Sequence, residues 1–135
     1  AVERAMVVIK EAGAKRALPL PVSAPFHSSL MRPAAEKLAA HLATMTLLTP
    51  QIPVLNNIDV AAPSATDAIK DALVRQAFGP VRWVESVQAL AAKGVTKVVE
   101  CGPGKVLTGM SKRIEPSINA VCVFDPASLE EAMAA

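Results

Sequence analysis

Few side chains in this sequence suit proton-transfer or nucleophilic chemistry, and the best placed is His27. It stands where a proline-stiffened extended stretch, Ala24-Pro25-Phe26, gives way to Ser28-Ser29-Leu30-Met31 and a helix. An imidazole takes and returns a proton near neutral pH, and loops between fixed elements often carry catalytic groups. A histidine that only hydrogen-bonds around a helix start would occupy the same position, so both roles stay open. A second junction, Cys101-Gly102-Pro103-Gly104-Lys105, follows a strand-like run and precedes a helix. Such a junction can hold a phosphate on backbone N–H groups. It lacks the spacing of a P-loop or a dinucleotide fingerprint, which favours a tight turn instead. Cys101 with His27 as its base would make a thiol nucleophile, but nothing local depresses a thiol pKa, and Cys101 and Cys122 read as core residues.

Metal chemistry finds no ligand set. His27 and His41 are fourteen positions apart, and no His or carboxylate cluster has ligand spacing, so neither metal nor cofactor is expected. His41 reads as a solvated helix residue. Trp83 and the methionines follow helical stripes and read as core, and Glu130 and Glu131 as a solvated face at a helix start.

The elements that must position these residues come from periodicity. Val2, Ala5, Met6, Ile9 and Ala12 recur at helical spacing up to Gly13. The segment Arg16 to Ser23, with Pro19 and Pro21, is an edge or connector, because proline lacks the N–H of a central strand. A helix capped at Ser28 or Ser29 tolerates Pro33 and presents Leu30, Ala34, Leu38, Leu42 and Met45. Ile52 to Leu55 reads as a short buried strand. A helix from a Thr66 cap to about Phe78 turns Ile69, Leu73 and Ala77 inward, and another carries Trp83, Val87, Leu90 and Ala91 to a stop at Gly94. Lys97–Glu100 and Ala120–Phe124 are strands, separated by a helix through Leu107, Met110 and Ile114. Asp125-Pro126 caps a terminal helix with Leu129 and Met133. Strands alternating with helices argue for an α/β layer with a small, mostly parallel sheet.

Composition narrows the partners. The 135 residues suffice for one domain with a sizeable core. Hydrophobic residues make up 52%, yet no apolar run approaches the ~20 residues that span a bilayer. A formal charge of +2 with scattered basic residues, and 3% aromatics with no tyrosine, argue against nucleic acid. Two cysteines make no disulfide framework, which points to a reducing cytoplasm. Charges at Glu3, Arg4, Lys10 and Glu11 exclude a secretory signal at the start. The first helix runs from residue 1 with no capping side chain, which suggests a cut through a larger protein.

Four stretches then resemble one family. They are Leu18-Pro19-Leu20-Pro21-Val22-Ser23-Ala24-Pro25-Phe26-His27-Ser28, Val54-Leu55-Asn56-Asn57-Ile58-Asp59, Leu73-Val74-Arg75-Gln76-Ala77-Phe78-Gly79-Pro80-Val81-Arg82-Trp83, and Glu100-Cys101-Gly102-Pro103-Gly104-Lys105-Val106-Leu107-Thr108-Gly109. In this order they resemble bacterial malonyl-CoA:acyl carrier protein transacylases, over essentially the whole chain and in the C-terminal half of such enzymes. The resemblance implies part of the α/β-hydrolase-like large subdomain of the acyltransferase fold at 25–135. Residues 1–24 would be the last helix and edge strand of a ferredoxin-like small subdomain with its connector.

It also implies serine acyl transfer in a bacterial cytoplasm, for fatty acid synthesis, from malonyl-CoA to the phosphopantetheine thiol of acyl carrier protein. His27 falls on the family's general base and acid. Gln76 falls on the glutamine that orients it by hydrogen bonding, and Phe26 resembles the residue that goes with malonyl selectivity. The nucleophile elbow G-x-S-x-G is absent, since Gly109-Met110-Ser111 continues into Lys112 and Arg113. The family's serine, oxyanion-hole glutamine and malonyl-binding arginine lie upstream of residue 1, so Arg32, Arg75, Arg82 and Arg113 inherit no substrate role. The expectation is a fragment, inactive alone and poorly stable or self-associating until its missing N-terminal half covers it. A free-standing module that binds acyl carrier protein or a complementary half, and part of a polyketide synthase acyltransferase domain, are the alternatives.

Overall fold

The computed structural model describes residues 1–134. Its elements are α1 (Val2–Glu11), α2 (Arg32–Ala43), α3 (Thr66–Gln76), α4 (Trp83–Ala92), β1 (Lys97–Cys101), α5 (Val106–Ile114), β2 (Asn119–Val123) and α6 (Pro126–Ala134), with a 3-10 turn at Ser29–Met31 leading into α2. β1 and β2 are parallel, with Lys97 opposite Asn119 and Cys101 opposite Val123. Parallel neighbours need a crossover, and α5 supplies it. The chain is therefore α/β, with a small parallel sheet flanked by helices.

Glu100 ties this unit together. Its carboxylate accepts the main-chain N–H of Thr108 at 2.7 Å and that of Leu107 at 3.3 Å, and the Thr108 hydroxyl at 2.7 Å. A side-chain anion thus occupies the N-terminus of α5, where unpaired N–H groups and the helix dipole favour one. The Cys101–Lys105 loop is accordingly a tight turn, with its strand's own carboxylate where a phosphate would have to sit. The Thr108 main-chain hydrogen bond, foremost, holds the Glu100 carboxyl below its ordinary range. Asp125 caps α6 as the sequence predicts, its Oδ1 accepting the Ser128 N–H at 2.8 Å. Gly94, at φ 82°, ends the α4 segment, with the N–H groups of Gly94 and Val95 returning to Ala91 and Leu90.

Several expectations change. Ile52–Leu55 forms no strand: Pro50 and Pro53 remove donors on either side of Ile52, and among the described residues no ladder partner lies alongside. Arg16–Ser23 joins no sheet among the described residues, in keeping with a connector. α3 starts at Thr66 with Ala65 in the cap position and no side-chain cap. The buried residues of α5 are Thr108 and Ser111, whereas Leu107 and Met110 face outward. Cys101 is exposed and Cys122 half-buried, so neither is a core residue, and Met45, Met110 and Met133 are exposed.

The buried apolar set is small: Ala35, Leu42, Ala72, Val87, Ile118, Ala120 and Ala132. No residue of α1 is buried. The accessible surface is 9904 Å², whereas a folded monomer of this mass exposes about 6,700 Å². Much of the excess is apolar, including Leu20, Val22, Leu48 and Ile52.

The loop Asn56–Ala61 packs beneath the C-terminal turn of α3. The Asn56 N–H donates to the Ala61 carbonyl at 2.9 Å, and the Asp59 N–H to the Asn56 Oδ1 at 2.7 Å. Ile58 fills the space beside Gly79. A Cβ on Gly79 would lie 2.3 Å from the Ile58 Cδ1 and 2.9 Å from the Arg75 carbonyl oxygen, so glycine is required there for room.

Two outcomes are expected. Gly79→Ala overpacks this contact and costs about 1–3 kcal/mol of stability in denaturant melts; an unchanged midpoint would contradict the packing. Glu100, Asp125 and Asp59 all titrate below the ordinary values of 4.5 for Glu and 3.8 for Asp. Their stabilisation is complete above the unfolded-state values and is lost as pH falls through the lower folded ones. The melting temperature should therefore decline on acidification below those ordinary values, and Glu100→Gln should flatten part of that decline.

Candidate functional site

The last carbonyls of a helix have no intrahelical donors. At the end of α3 the chain runs Gln76-Ala77-Phe78-Gly79-Pro80, and the proline cannot continue the helix. His27 takes up these carbonyls. Its main-chain N–H donates to the Ala77 oxygen at 3.3 Å, and its ring Nδ1 lies 3.1 Å from the oxygens of both Gln76 and Gly79. Both partners are acceptors only, which assigns the proton to Nδ1 and leaves the lone pair on Nε2. The ring is thereby fixed in orientation, with Nε2 as its acceptor nitrogen. His27 itself has φ 59°, uncommon outside glycine, and these three contacts hold it there. The Ser28 hydroxyl donates to the Pro25 carbonyl at 2.7 Å and closes the turn before the helix.

Gln76 thus meets His27 through its main chain rather than its side-chain amide. The amide oxygen accepts the Asn57 N–H at 2.8 Å. The physical reason is the direction of helical side chains: they lean toward the N-terminus, whereas the carbonyls of the last turn project past the C-terminus, where His27 sits. Gly79 and Asn57 also belong to this constellation, and sequence reasoning missed both; the break at Gly79-Pro80 was the available signal. Phe26, next to His27, is 63% exposed. The Arg32 guanidinium lies 4.7 Å from the Phe78 ring centroid, a cation–π contact that pins the start of α2 to the same turn.

The other candidates are not drawn to His27. Cys101 is exposed at the end of β1, and Ser111 is buried within α5 rather than at a strand-to-helix turn. His41 is exposed on α2. Among the described residues no group of three or more His, Cys, Asp or Glu is arranged to hold a metal ion, and no helix is long and apolar enough to cross a membrane. There are also two apolar cavities, the second of which borders Gln76. One of about 340 Å³ is lined by Trp83, Leu90, Val98, Val99 and Leu107. Another of about 310 Å³ lies against Val54, Leu55, Asn56, Leu73 and Gln76. At their walls the Trp83 indole nitrogen and the Asn56 amide nitrogen are buried without a hydrogen-bond partner.

No family profile matches the chain. Individual proteins do. It is 54% identical over 133 residues to the malonyl CoA-acyl carrier protein transacylase of Salmonella typhimurium, covering 98% of this chain and 43% of that protein. An acyl-carrier-protein S-malonyltransferase from Burkholderia pseudomallei superposes with a TM-score of 0.91 at 62% identity, over 99% of this chain and 44% of that one. A malonyl-transacylase solved in complex with its type II PKS acyl-carrier protein superposes with a TM-score of 0.91 at 51% identity, over 98% of this chain and 43% of that one. The chain thus spans a little under half the length of these relatives. Over nearly its whole length, then, the chain is similar in sequence and in fold to malonyl-CoA:acyl carrier protein transacylases.

Proposed function

We propose that this chain is the base-bearing part of an acyl carrier protein S-malonyltransferase, and that a segment upstream of it supplies the nucleophilic serine. The observation that carries this reading is the His27 ring, held by the Gln76 and Gly79 carbonyls with Nε2 free. In the complete site Nε2 takes the serine proton as Oγ attacks the thioester carbonyl of malonyl-CoA. The C–S bond breaks, and the imidazolium returns its proton to the departing thiolate. In the second half-reaction Nε2 deprotonates the phosphopantetheine thiol of acyl carrier protein. That sulfur attacks the malonyl ester, and the serine oxygen leaves with the proton. Gln76 orients the base through its carbonyl, and Phe26 borders the acyl group and favours malonyl. No cofactor is required.

Residues 1–24 belong, in this reading, to the small subdomain and its connector, and 25–135 to the large subdomain; the lack of any buried residue in α1 supports the division. The surface excess and the two unpartnered buried donors support a covering N-terminal half as the first partner, with acyl carrier protein and malonyl-CoA as the others. The cellular setting is a bacterial cytoplasm, supported by the free cysteines and the bacterial relatives, with no role for nucleic acid or membrane. Fatty acid synthesis is the pathway. The likeness to the transacylase solved with its type II PKS carrier protein favours polyketide synthesis as the second reading.

The 135-residue chain alone should transfer no malonyl. Mixed with the remaining N-terminal portion of the Salmonella relative, it should restore transfer from malonyl-CoA to acyl carrier protein, and His27→Ala in that mixture should lower turnover by about 10³-fold or more. Transfer by the chain alone would contradict the divided site, and full turnover with His27→Ala would remove the base assignment. A chain that binds carrier protein but never restores transfer would mark a non-catalytic module.

A further inference from the structure

The two carbonyls that hold His27 belong to a turn whose own position is fixed from below by the Asn56–Ala61 loop. Arg75 immediately precedes Gln76, and its carbonyl accepts the N–H groups of Phe78 at 3.3 Å and Gly79 at 2.8 Å, so it sits at the centre of that turn. Its guanidinium makes a two-pronged contact with Asp59 of the loop, Nη1 to Oδ1 and Nη2 to Oδ2, each at 2.7 Å. A planar fork on a carboxylate fixes orientation as well as distance. The remaining Nε donates to Asp71 at 2.7 Å, one turn earlier on α3 itself.

Arg75 therefore has two carboxylate partners of different kinds. Asp71 lies within the helix, whereas Asp59 bridges helix and loop. The bridge works with three other contacts between the same parts: the Asn57 N–H on the Gln76 side chain, the Arg82 N–H on the Asn57 carbonyl at 3.0 Å, and Ile58 against Gly79. The loop itself carries Val60 at φ 57°, an unfavourable setting for a β-branched residue, so it needs outside support to keep its shape.

We infer that Asp59 and Arg75 are positioning residues. Their bridge sets the spacing of the Gln76 and Gly79 carbonyls and so keeps the proton on Nδ1 of His27. The pair is about one-third exposed on each side, at 35% and 39%, so its contribution to global stability is small and its effect is local. If the turn moves away by about half an ångström or more, both 3.1 Å contacts on Nδ1 lengthen past hydrogen-bond range, and the proton is free to shift to Nε2, where the base would be blocked. The inference rests on reading His27 as the proton-transfer group for its bearing on catalysis, but not for the geometry.

The test is ring-nitrogen NMR of His27 in the 15N-labelled 135-residue chain. In the wild type the two nitrogens should give well-separated shifts, with the proton on Nδ1. Asp59→Asn should narrow that separation or invert it, as the proton exchanges to Nε2, while the backbone spectrum and melting midpoint stay close to wild type. Arg75→Lys, which keeps the charge and loses the fork, should do the same and gives the result if Asp59→Asn fails to fold. Asp71→Asn removes a carboxylate from the same arginine without touching the bridge and should leave His27 unchanged. Unaltered His27 shifts in both Asp59→Asn and Arg75→Lys, or an equal change in Asp71→Asn, would overturn the inference. Failure of the catalytic reading would show separately, as full transfer by the assembled His27→Ala enzyme.

Discussion

The unspent carbonyls at the end of α3 are the constraint around which the rest of this molecule is arranged. A helix must end with acceptors that its own backbone cannot satisfy. Here the Gly79-Pro80 break directs them at a single imidazole rather than at solvent. One consequence is a defined tautomer, because an atom facing two carbonyls must donate. Another is that the ring is fixed without an added charge, since its partners are a pair of neutral carbonyls. The site thus relies on main-chain geometry, which a side-chain substitution reaches only indirectly.

Two sets of contacts keep that geometry. From above, the Arg32–Phe78 contact holds the start of α2 against the turn. From below, the Asn56–Ala61 loop presses Ile58 against Gly79 and engages Gln76 and Arg75. The βαβ unit has its own centre in Glu100, which caps α5 from within the strand and ties it to β1. Both units use polar contacts to main chain at helix ends, and both bury little apolar surface of their own. The small core and the surface excess are two views of the same fact: apolar stripes made for packing, such as those of α1 and the outer face of α5, are left largely exposed.

Much of the layout is legible in the order of residues. The α5 crossover, the Gly94 stop and the Asp125-Pro126 cap come from periodicity and capping, because those signals are local. Ile52–Leu55 is not a strand, because an apolar run between prolines says nothing of whether a ladder partner exists. The apolar stripe of α5 is not its buried face, since which side of a helix is covered depends on the neighbour: there Glu100 and Val121 draw Thr108 inward. Cys101 and Cys122 lie outside a core that the fold does not build around them.

By itself, the sequence determined that His27 sits at an extended-to-helix junction, that the chain is α/β, and, through four ordered motifs, which family it resembles. Only the tertiary structure decided how Gln76 acts. Its residue type suggested an amide hydrogen bond, yet its carbonyl reaches the imidazole while its amide holds the Asn57 loop, forty-nine residues along the chain from His27 being closed to 3.1 Å. Glycine at 79 has the same history, its role set by Ile58 from a separate loop. Main-chain acceptors carry no residue type, so their part in a site is written in the path of the backbone and cannot be read from the order of side chains.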